Sequence, residues 1–353
     1  MKSEMNSTGT GTSRSEGAGL TRRALVGGAS AIAISAPFVR RAHAEASEVK
    51  IAKQFGLLYL QQDIMEHEKL IEKHAAKLGL PGLKADFIKL AGTGAVTEAL
   101  LSGSLQFASG GSPGAMLLWD RSKGAIKSCF AMNATNQMLL TVRPDLKTVK
   151  DLKPTDRIAL PAVKTSPQAI FLQMAAAQAF GQNEWAKFDA LTISRAHPDS
   201  MAQMLSDSEI NCHWTSTPFQ ERELANPKVH EVANSFAIMG LPSVTPTSIY
   251  GASAFREKNP IVWKAVLAAF HEATDFIVKN PRQAAEMYLA NSGDKDTLDN
   301  TLAAMKSPGN EFTLQPRGFQ KMNDFMAQIG LIKKKPDNLT DLFFPEAKDL
   351  GGS

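Results

Sequence analysis

Three pairs of a hydroxyl residue and proline, Ser112-Pro113, Ser166-Pro167 and Thr217-Pro218, each follow a predicted strand. A hydroxyl at the N-cap with proline at the first helical position is typical of the start of an α-helix. Thr93, which precedes an alanine-rich stretch, is a fourth hydroxyl in such a position. The free N–H groups and positive dipole end of a helix start favour an anion. Any one of these residues is also explained as a structural helix cap. The presence of four such helix starts, each after a predicted strand, favours a ligand site.

The elements that would position these residues alternate between strand and helix. Alternating apolar residues predict strands at 49–52, 87–90, 105–108, 158–160 and 210–214. Helical spacing predicts helices at 63–78, 95–101, 168–180 and 219–224, another that ends at Trp119, and a helical C-terminal region (262–279, 281–289 and 318–329). This alternation indicates an α/β protein with a mostly parallel sheet. Open α/β sheets bind ligands beyond the carboxyl ends of their strands, where the predicted helix starts lie.

The first 44 residues have the features of an export signal. Thr21-Arg22-Arg23 precedes a weakly apolar run to Phe38, and Ala42-His43-Ala44 resembles a cleavage site. The run is too short to span a membrane as a helix. The paired arginines, together with Arg40-Arg41 near the cleavage site, favour the twin-arginine route, and an ordinary Sec signal is the alternative. We therefore expect a soluble periplasmic protein that is cleaved near Ala44.

The leader also accounts for the basic character of the chain. Residues 1–44 hold six of the 39 basic residues and two of the 35 acidic ones, which leaves 33 of each in the mature protein. A neutral mature chain gives no support for nucleic acid as a partner. Two cysteines, Cys129 and Cys212, are too few for a disulfide-stabilised secreted fold. We expect buried free thiols and two lobes with ordinary hydrophobic cores.

Several motifs of nucleotide, metal and thiol chemistry are absent from the sequence. It contains no phosphate-binding loop, no Gly-x-Gly-x-x-Gly, no His-Glu-x-x-His and no Cys-x-x-Cys. Glu66-His67-Glu68 and His74 are of zinc-ligand types, but on a helix Glu68 points away from His67. We therefore expect a solvated helix face at these residues, no metal site and no cofactor.

A succession of segments in the chain resembles one protein family. The first segments are 90–94 (Leu-Ala-Gly-Thr-Gly), 99–107 and the loop that ends at Pro113. They are followed by 140–144 (Leu-Thr-Val-Arg-Pro), 149–153, 158–166, 212–219 (Cys-His-Trp-Thr-Ser-Thr-Pro-Phe), 248–255, 258–260 and a helix around 273–277 that closes at Asn280-Pro281. This order, over nearly all of 49–295, resembles the periplasmic substrate-binding proteins of ABC transporters for sulfonates, taurine and nitrate, which are grouped with the binders of thiamine-pyrimidine precursors.

The resemblance implies a type II periplasmic binding protein, with two α/β lobes joined by two crossing strands and a C-terminal helical extension. Lobe 1 would combine 45–138 with 244–353, and lobe 2 would hold 139–243. A ligand that touches both lobes would favour closure about the hinge. The closed form would then dock on a membrane permease, and an ATPase subunit would power uptake. The binding protein itself, expected to be a monomer, needs no catalytic residue.

Position in this fold gives the candidate ligand contacts. Gln54, Phe55, Gly56 and Tyr59 match the first contact segment of the family. The other candidates are Thr93, Ser109 and Ser112 on lobe 1, Asn133 and Asn136 before the crossing, Lys164, Thr165 and Ser166 on lobe 2, and His213, Trp214 and Thr215 at the end of its later strand. Packing roles are the alternative for the aromatic candidates and for His213. Arg195 and Lys164 carry charges suited to an anion, but we expect Arg195 to be an exposed charge.

The sequence is compatible with more than one class of ligand and with two functions other than transport. Helix starts, hydroxyls and amides favour a sulfonate, a carboxylate or nitrate, whereas the aromatic candidates suit an aromatic or pyrimidine-like body. The loop 109–112 lacks an acidic residue, which argues against an amine. Related two-lobed folds include pyrimidine-synthesising enzymes, whose cysteine-rich motif is absent here, and thiamine-degrading enzymes, for which Cys212 would be the nucleophile. A sensor subunit that presents its ligand to a membrane receptor would use the same binding chemistry.

Overall fold

The computed structural model describes residues 44–90, 93–206 and 208–352, except for the side chains of 93–95 and 348–349. The predicted leader lies outside these ranges apart from Ala44. The strands are β1 (Glu48–Lys53), β2 (Lys84–Lys89), β3 (Phe107–Gly111), β4 (Ile126–Ala131), β5 (Met138–Thr141), β6 (Ile158–Leu160), β7 (Thr192–Ser194), β8 (Cys212–Trp214), β9 (His230–Asn234) and β10 (Thr247–Ala252).

Helices precede and follow these strands along the whole chain. They are α1 (Leu60–Glu68), α2 (Leu70–Lys77), α3 (Thr93–Leu101), α4 (Ser112–Arg121), α5 (Pro167–Phe180), α6 (His197–Leu205), α7 (Phe219–Leu224), α8 (Ser235–Met239), α9 (Ser253–Lys258), α10 (Pro260–Lys279), α11 (Pro281–Ser292), α12 (Leu298–Met305) and α13 (Phe319–Gln328). The predicted α/β class and the helical C-terminal region are therefore confirmed.

The strands form two five-stranded sheets with the same pattern. Sheet one has the order β2-β1-β3-β10-β4 and sheet two the order β7-β6-β8-β5-β9. In each sheet the first three strands are parallel, and the fourth runs antiparallel to both of its neighbours. Both sheets are therefore mixed. Four of the five strands in each sheet run in the same direction, as expected, and β5 or β10 is the one reversed strand.

The chain passes between the two sheets twice. It leaves sheet one after β4, and β5 is the first strand of sheet two; it returns after β9 and α8, and β10 completes sheet one. Each antiparallel strand is thus the first one after a crossing. Each crossing strand is the fourth in its sheet, between the central strand and an edge strand.

Hydrophobic clusters cover both faces of each sheet. The cluster on one face of sheet one contains Phe107, Phe130 and Trp263, and a smaller cluster around Tyr250 covers the other face. Sheet two has a large cluster around α5 and a small one around Leu140 and Ala159. Each sheet therefore has a core of its own, as the sequence analysis expects.

Helices α4 and α13 contribute to the core of sheet two, although the strands that precede them in the chain, β3 and β10, belong to sheet one. Met116 and Leu117 of α4 and Phe319 and Met322 of α13 belong to the large cluster of sheet two. Other residues of α4, such as Leu118, belong to a cluster of sheet one. Helix α4 is therefore shared by both cores, and α13 packs against α4 and α5. Most of the C-terminal helices, in contrast, pack with sheet one.

Most predicted elements are present, with differences at their ends. The predicted strand 158–160 and helix 219–224 agree with β6 and α7 residue for residue. The predicted helix 63–78 is wrong as one element: Lys69 adopts the left-handed conformation (φ 51°) and divides it into α1 and α2. Helix α6, between two short strands of sheet two, is not predicted. Within the described ranges no helix is both long and apolar enough to cross a membrane.

Replacement of Trp214 by alanine tests the core of sheet two. Trp214 is fully buried, and its ring lies 6.2 Å from that of Phe171. We expect Trp214→Ala to lower the free energy of unfolding by about 3–5 kcal/mol, the usual cost of removing a large buried aromatic side chain. Urea unfolding without ligand measures this loss. Trp185→Ala, at a half-buried tryptophan, is the control and should cost clearly less. Equal losses in the two variants would contradict this placement of Trp214.

Candidate functional site

A cavity of about 420 Å³ lies between the two sheets. Gln54 and Phe55 follow β1 and Gly111 ends β3, whereas Pro161 follows β6 and Arg195 follows β7. The wall is therefore built from the carboxyl ends of parallel strands in both sheets, where open α/β sheets bind ligands. The full lining is Gln54, Phe55, Leu58, Tyr59, Gly111, Gln137, Pro161, Ala162, Ser166, Pro167, Gln168, Ser194, Arg195, Ala196, His197, Asp199, Ser216 and Thr247.

Three helices begin at this wall. Gly111, Ser166 and Ala196 are the N-caps of α4, α5 and α6, and all three residues line the cavity. Ser166 confirms the predicted cap, because its hydroxyl accepts a hydrogen bond from the N–H of Ala169 at 3.2 Å. The positive ends of three helix dipoles thus point toward the same space, which favours an anion there.

Several buried polar atoms in the wall have no hydrogen-bond partner among the described residues. They are both side-chain polar atoms of Gln137, Oε1 of Gln168, Oγ of Ser216 and Nε of Arg195. A buried polar group left without a partner costs roughly 1–3 kcal/mol. A cluster of such atoms around one cavity therefore indicates a place where a polar ligand supplies the missing partners.

Arg195 is the cation of the cavity wall. It is half-buried rather than exposed, so the expectation of an exposed charge is wrong. Within the ranges that the structure describes, no carboxylate lies within ion-pair distance of its guanidinium. Asp199, on the first turn of α6, is the acidic residue of the wall and is exposed to solvent. An arginine free of a carboxylate partner keeps its donors available for an anionic ligand.

Glycine allows the two halves of the wall to meet. A Cβ on Gly111 would lie 2.7 Å from Cδ of Pro167, so a side chain here would separate the starts of α4 and α5. Gly56 has φ 100°, and a Cβ there would lie 3.1 Å from the Phe219 ring and from the Thr217 carbonyl oxygen. Both glycines follow or end strands of sheet one, and they approach residues at the starts of α5 and α7, which follow strands of sheet two.

The segment that carries Gln54, Phe55 and Tyr59 is fixed at both of its ends. Lys53, buried at the end of β1, pairs through Nζ with Asp63 at 2.7 Å and with Glu66 at 2.5 Å on α1. Asn133 donates from Nδ2 to the Leu58 carbonyl at 2.8 Å. Because these contacts hold the segment before any ligand arrives, its side chains are pre-positioned for binding.

His197 is a titratable residue of the wall whose pKa is clearly displaced. Burial, and to a smaller extent the neighbouring His213, holds the pKa of the His197 imidazole well below its usual range. Its Nδ1 lies 2.8 Å from Nε2 of His213, and His213 Nδ1 lies 2.5 Å from Glu223 Oε1. The His197 ring stacks on Phe219 with centroids 5.6 Å apart. A neutral histidine therefore forms part of the wall.

The structure brings together some of the predicted contacts. Gln54, Phe55, Tyr59 and Ser166 line the cavity, and Gly56 lies beside it. The side chain of Thr93 lies outside the described residues. Lys164 is exposed and Thr165 half-buried on the loop before α5. Ligand contact by all of these residues stays a prediction.

The remaining predicted contacts lie behind the wall. Ser109, Ser112, Asn133, His213, Trp214 and Thr215 are fully buried and do not line the cavity. Asn133 also accepts a hydrogen bond at 2.8 Å from Thr247, which does line it. Asn136 accepts hydrogen bonds from the hydroxyl of Ser235 and the N–H of Phe236. These side chains position other elements, and direct contact with a ligand stays a prediction for them as well.

Sequence reasoning missed Gln137, Gln168, His197 and Ser216 in the wall. A signal for one of them exists, because Ala196-His197-Pro198-Asp199 has proline in the first turn of α6, as in the other helix starts. For Thr217-Pro218 the predicted cap is wrong: α7 begins at Phe219, and Pro218 is its N-cap. This displacement leaves Ser216, rather than Thr217, facing the cavity.

The pentapeptide Gly110-Gly111-Ser112-Pro113-Gly114 matches the Gly-x-Ser-x-Gly pattern of serine hydrolases and stands between β3 and α4. Its chemistry differs from that of a nucleophile, because the Ser112 hydroxyl donates to the Thr245 carbonyl at 3.1 Å. No hydrogen bond within the described ranges joins Ser112 to a histidine. An activated serine needs such a base, so Ser112 here is a structural residue.

The described residues contain neither a reactive cysteine nor a metal-binding cluster. Cys129 and Cys212 are buried free thiols, as predicted. Burial raises the pKa of the Cys212 thiol to about 12, and this thiol donates to Thr141. No group of three metal-ligating side chains occurs in the described ranges. His74 instead contacts Glu272 at 2.7 Å, and His67 contacts Glu68.

A family model and several solved structures of binding proteins are similar to this chain. A model of the family described as NMT1/THI5 like matches residues 81–284. The fold is similar to that of the alkanesulfonate-binding protein SsuA from Xanthomonas axonopodis pv. citri bound to MOPS, with TM-score 0.64 and 15% identity over 83% of this chain and 96% of that one. The periplasmic aliphatic sulphonate-binding protein SsuA from Escherichia coli gives TM-score 0.61 and 18% identity over 83% and 96%.

The periplasmic nitrate-binding protein NrtA from Synechocystis PCC 6803 is also similar, with TM-score 0.65 and 14% identity over 87% of each chain. Comparison with curated protein sequences gives no match. The two mixed sheets and the central cavity are therefore the fold of periplasmic binding proteins, as the resemblance of the sequence implies.

The lowered pKa of His197 predicts a pH-dependent stability. Below about pH 6.5 the unfolded chain binds a proton at this imidazole that the folded chain does not bind, so the free energy of unfolding falls as the pH drops. We expect His197→Asn to remove this part of the dependence. Urea unfolding at pH 7.5 and 5.5 should show wild type losing more stability than the variant. His67→Asn, at an exposed histidine, should follow wild type, and parallel curves for all three proteins would contradict the prediction.

Proposed function

Because this chain belongs to the NMT1/THI5-like family and has the fold of periplasmic binding proteins, we propose that it is the solute-binding component of an ABC importer and captures a small organic anion. The observation that carries this proposal is the cavity wall. Three helix starts and the guanidinium of Arg195 converge there on buried polar atoms that lack partners within the described chain.

The dimensions and composition of the cavity support a small organic ligand. A volume of about 420 Å³ lies in the range of ordinary small-molecule pockets. Phe55, Leu58, Tyr59 and Pro161 provide apolar surface for a carbon body, whereas Arg195 and the helix starts would hold its charge. A sulfonate, a carboxylate or nitrate, with or without an aromatic body, fits this division. The similarity to sulfonate-binding and nitrate-binding proteins supports the same class.

Closure of two lobes about a hinge is the proposed mechanism. Lobe 1 comprises 45–138 with 244–353 and lobe 2 comprises 139–243, and the ligand binds in the cleft between them. Arg222 of α7 supports closure, because it reaches across to two carboxylates that follow α11, Asp294 at 2.8 Å and Asp296 at 2.5 Å. Ion pairs of this kind exist only while the lobes are close together, so they stabilise the closed form together with the ligand.

The proposed mechanism implies partner proteins in the membrane and a location outside the cytoplasm. The closed form would dock as a monomer on a membrane permease, and an ATPase subunit would drive transport. The predicted export signal supports a periplasmic location. Cys212, the candidate nucleophile of the thiamine-degrading alternative, is a buried thiol with a raised pKa and gives no support for an enzyme.

A panel of probes tests the proposal at Arg195. Ethanesulfonate, benzoate, nitrate and neutral pyrimidine are added in thermal-shift and calorimetric titrations. A ligand at 100 times its dissociation constant stabilises the folded state by about 2.7 kcal/mol, which is readily detected. We expect stabilisation by at least one anion and a loss of affinity of about tenfold or more in Arg195→Gln, because a charge-assisted hydrogen bond is removed.

The matched control for Arg195 is Arg282→Gln. Arg282 is an exposed arginine of α11 whose partner is Glu286, one turn away. This variant should bind the probes as wild type does. Stabilisation by pyrimidine alone, or equal affinities in the two arginine variants, would contradict capture of an anion at Arg195.

A separate variant tests the contribution of Arg222 to closure. Arg222→Gln removes both ion pairs across the cleft, so the open form becomes more populated and the affinity for a stabilising anion should fall about five- to tenfold. Calorimetry measures the affinity, and small-angle X-ray scattering should show a larger radius of gyration. Lys279→Gln, which breaks an exposed pair within α10, is the control and should change neither quantity. Unchanged affinity in Arg222→Gln would show that these pairs do not contribute to closure.

A further inference from the structure

Three buried side chains behind the cavity wall form one line of hydrogen bonds. Glu223 of α7 contacts His213 of β8 (Oε1 to Nδ1, 2.5 Å), and His213 contacts His197 of α6 (Nε2 to Nδ1, 2.8 Å). Glu223 and His213 are fully buried, whereas His197 reaches the cavity. The line thus joins a carboxylate in the interior to a ring nitrogen at the ligand site, His197 Nε2.

The positions of the protons on this line follow from the pairing of atoms. His213 Nδ1 faces a carboxylate oxygen, so it carries a proton and donates. The contact between the two imidazoles needs exactly one proton, either on His213 Nε2 or on His197 Nδ1. In the first state His213 is an imidazolium and the proton of neutral His197 is on Nε2, toward the cavity. In the second state His213 is neutral and His197 Nε2 presents a bare lone pair.

The burial of Glu223 selects the first state. Its Oε2 has no hydrogen-bond partner, and among the described residues the only side chain within ion-pair distance of it is His213. A fully buried carboxylate without a counter-charge is strongly unfavourable, and an imidazolium at hydrogen-bond distance supplies that charge. A second positive charge on His197 is opposed by His213 beside it, which agrees with a neutral His197.

The cavity side of the line is consistent with an outward proton. The amide nitrogen of Gln168, Nε2, lies 3.4 Å from His197 Nε2, and the amide is almost fully buried with its Oε1 without a partner among the described residues. The nitrogen and oxygen of an amide occupy equivalent positions, so a half-turn of the Gln168 amide places an acceptor beside the His197 proton. An oxygen of a bound anion would accept the same proton.

We propose that Glu223 and His213 hold the proton of His197 on Nε2, so that His197 donates a hydrogen bond to the anionic group of the ligand. This inference rests on the proposed function and deepens it. His197 is a ligand contact, whereas His213 and Glu223 are positioning residues that act through it. The line also determines specificity: a ligand oxygen that accepts a hydrogen bond is favoured at this point, and a ligand N–H or O–H that must donate one is not.

Glu223→Gln tests the relay in the full mature chain. The glutamine oxygen still accepts from His213 Nδ1, but it no longer stabilises an imidazolium. His213 then becomes neutral as the shared proton moves from its Nε2 to His197 Nδ1. The Nε2 proton of His197 is released to solvent, and a lone pair faces the anion. We expect about a tenfold or greater loss of affinity for whichever of ethanesulfonate, benzoate and nitrate binds wild type. Glu231→Gln, on an exposed strand position of the same sheet, is the control and should retain wild-type affinity.

Nitrogen NMR of the imidazole rings supplies a second readout that does not depend on a ligand. In ligand-free wild type we expect His213 with protons on both nitrogens and His197 with a proton on Nε2 alone. A bare Nε2 on His197 would overturn the relay, as would equal affinities of wild type and Glu223→Gln. If that variant does not fold, the tautomer in wild type decides. If wild type binds none of the three anions, the proposed function fails, and the ligand role of His197 fails with it.

Discussion

Polar groups that are buried without a hydrogen-bond partner raise the free energy of the folded protein, and this cost explains how the cavity is built. Gln137, Gln168, Ser216 and Arg195 line one cavity and carry buried polar atoms that have no hydrogen-bond partner among the described residues. Such atoms are expensive inside a protein unless something else completes their hydrogen bonds. The fold concentrates them at one place, since the carboxyl ends of parallel strands from both sheets build the cavity wall. The same arrangement directs the starts of α4, α5 and α6 there, so a charged ligand meets both dipoles and free donors.

The class of the fold can be predicted from the sequence, because the spacing of apolar residues correctly indicates most strands and helices. The strand at 158–160 and the helix at 219–224 are reproduced residue for residue, and the α/β alternation leads to the correct architecture. The antiparallel strands β5 and β10 could not be predicted in the same way, because their pairing joins segments that are far apart in sequence. The division of α1 from α2 at Lys69 has no glycine or proline to signal it. Helix α6 is preceded by β7, whose sequence Thr-Ile-Ser has a single apolar residue and therefore shows no clear pattern, unlike Ile-Ala-Leu in β6.

The site is harder to predict than the fold, because the sequence does not say which face of an element points to the ligand. His213 and Trp214 are adjacent in β8, so their side chains lie on opposite faces of sheet two. Trp214 packs beside Phe171, whereas His213 contacts His197. The position of these residues at the end of a strand correctly predicts that they lie near the cavity, but it does not show that other side chains separate them from it. The segment Gln54 to Tyr59 was easier, because it follows β1 directly and is fixed by Lys53 and Asn133.

Phe219 would connect ligand binding to closure in the mechanism that we propose. One face of its ring stacks on His197, and the guanidinium of Arg222 lies 5.6 Å from its centroid. Gly56, from the opposite half of the wall, approaches the same ring so closely that a Cβ would lie 3.1 Å away. A displacement of Phe219 would therefore disturb a ligand contact, the ion pairs across the cleft and the packing of the two halves at once. Since packed rings do not deform gradually, these contacts are expected to change together in the mechanism we propose, in which an anion that fixes His197 would also favour the closed form.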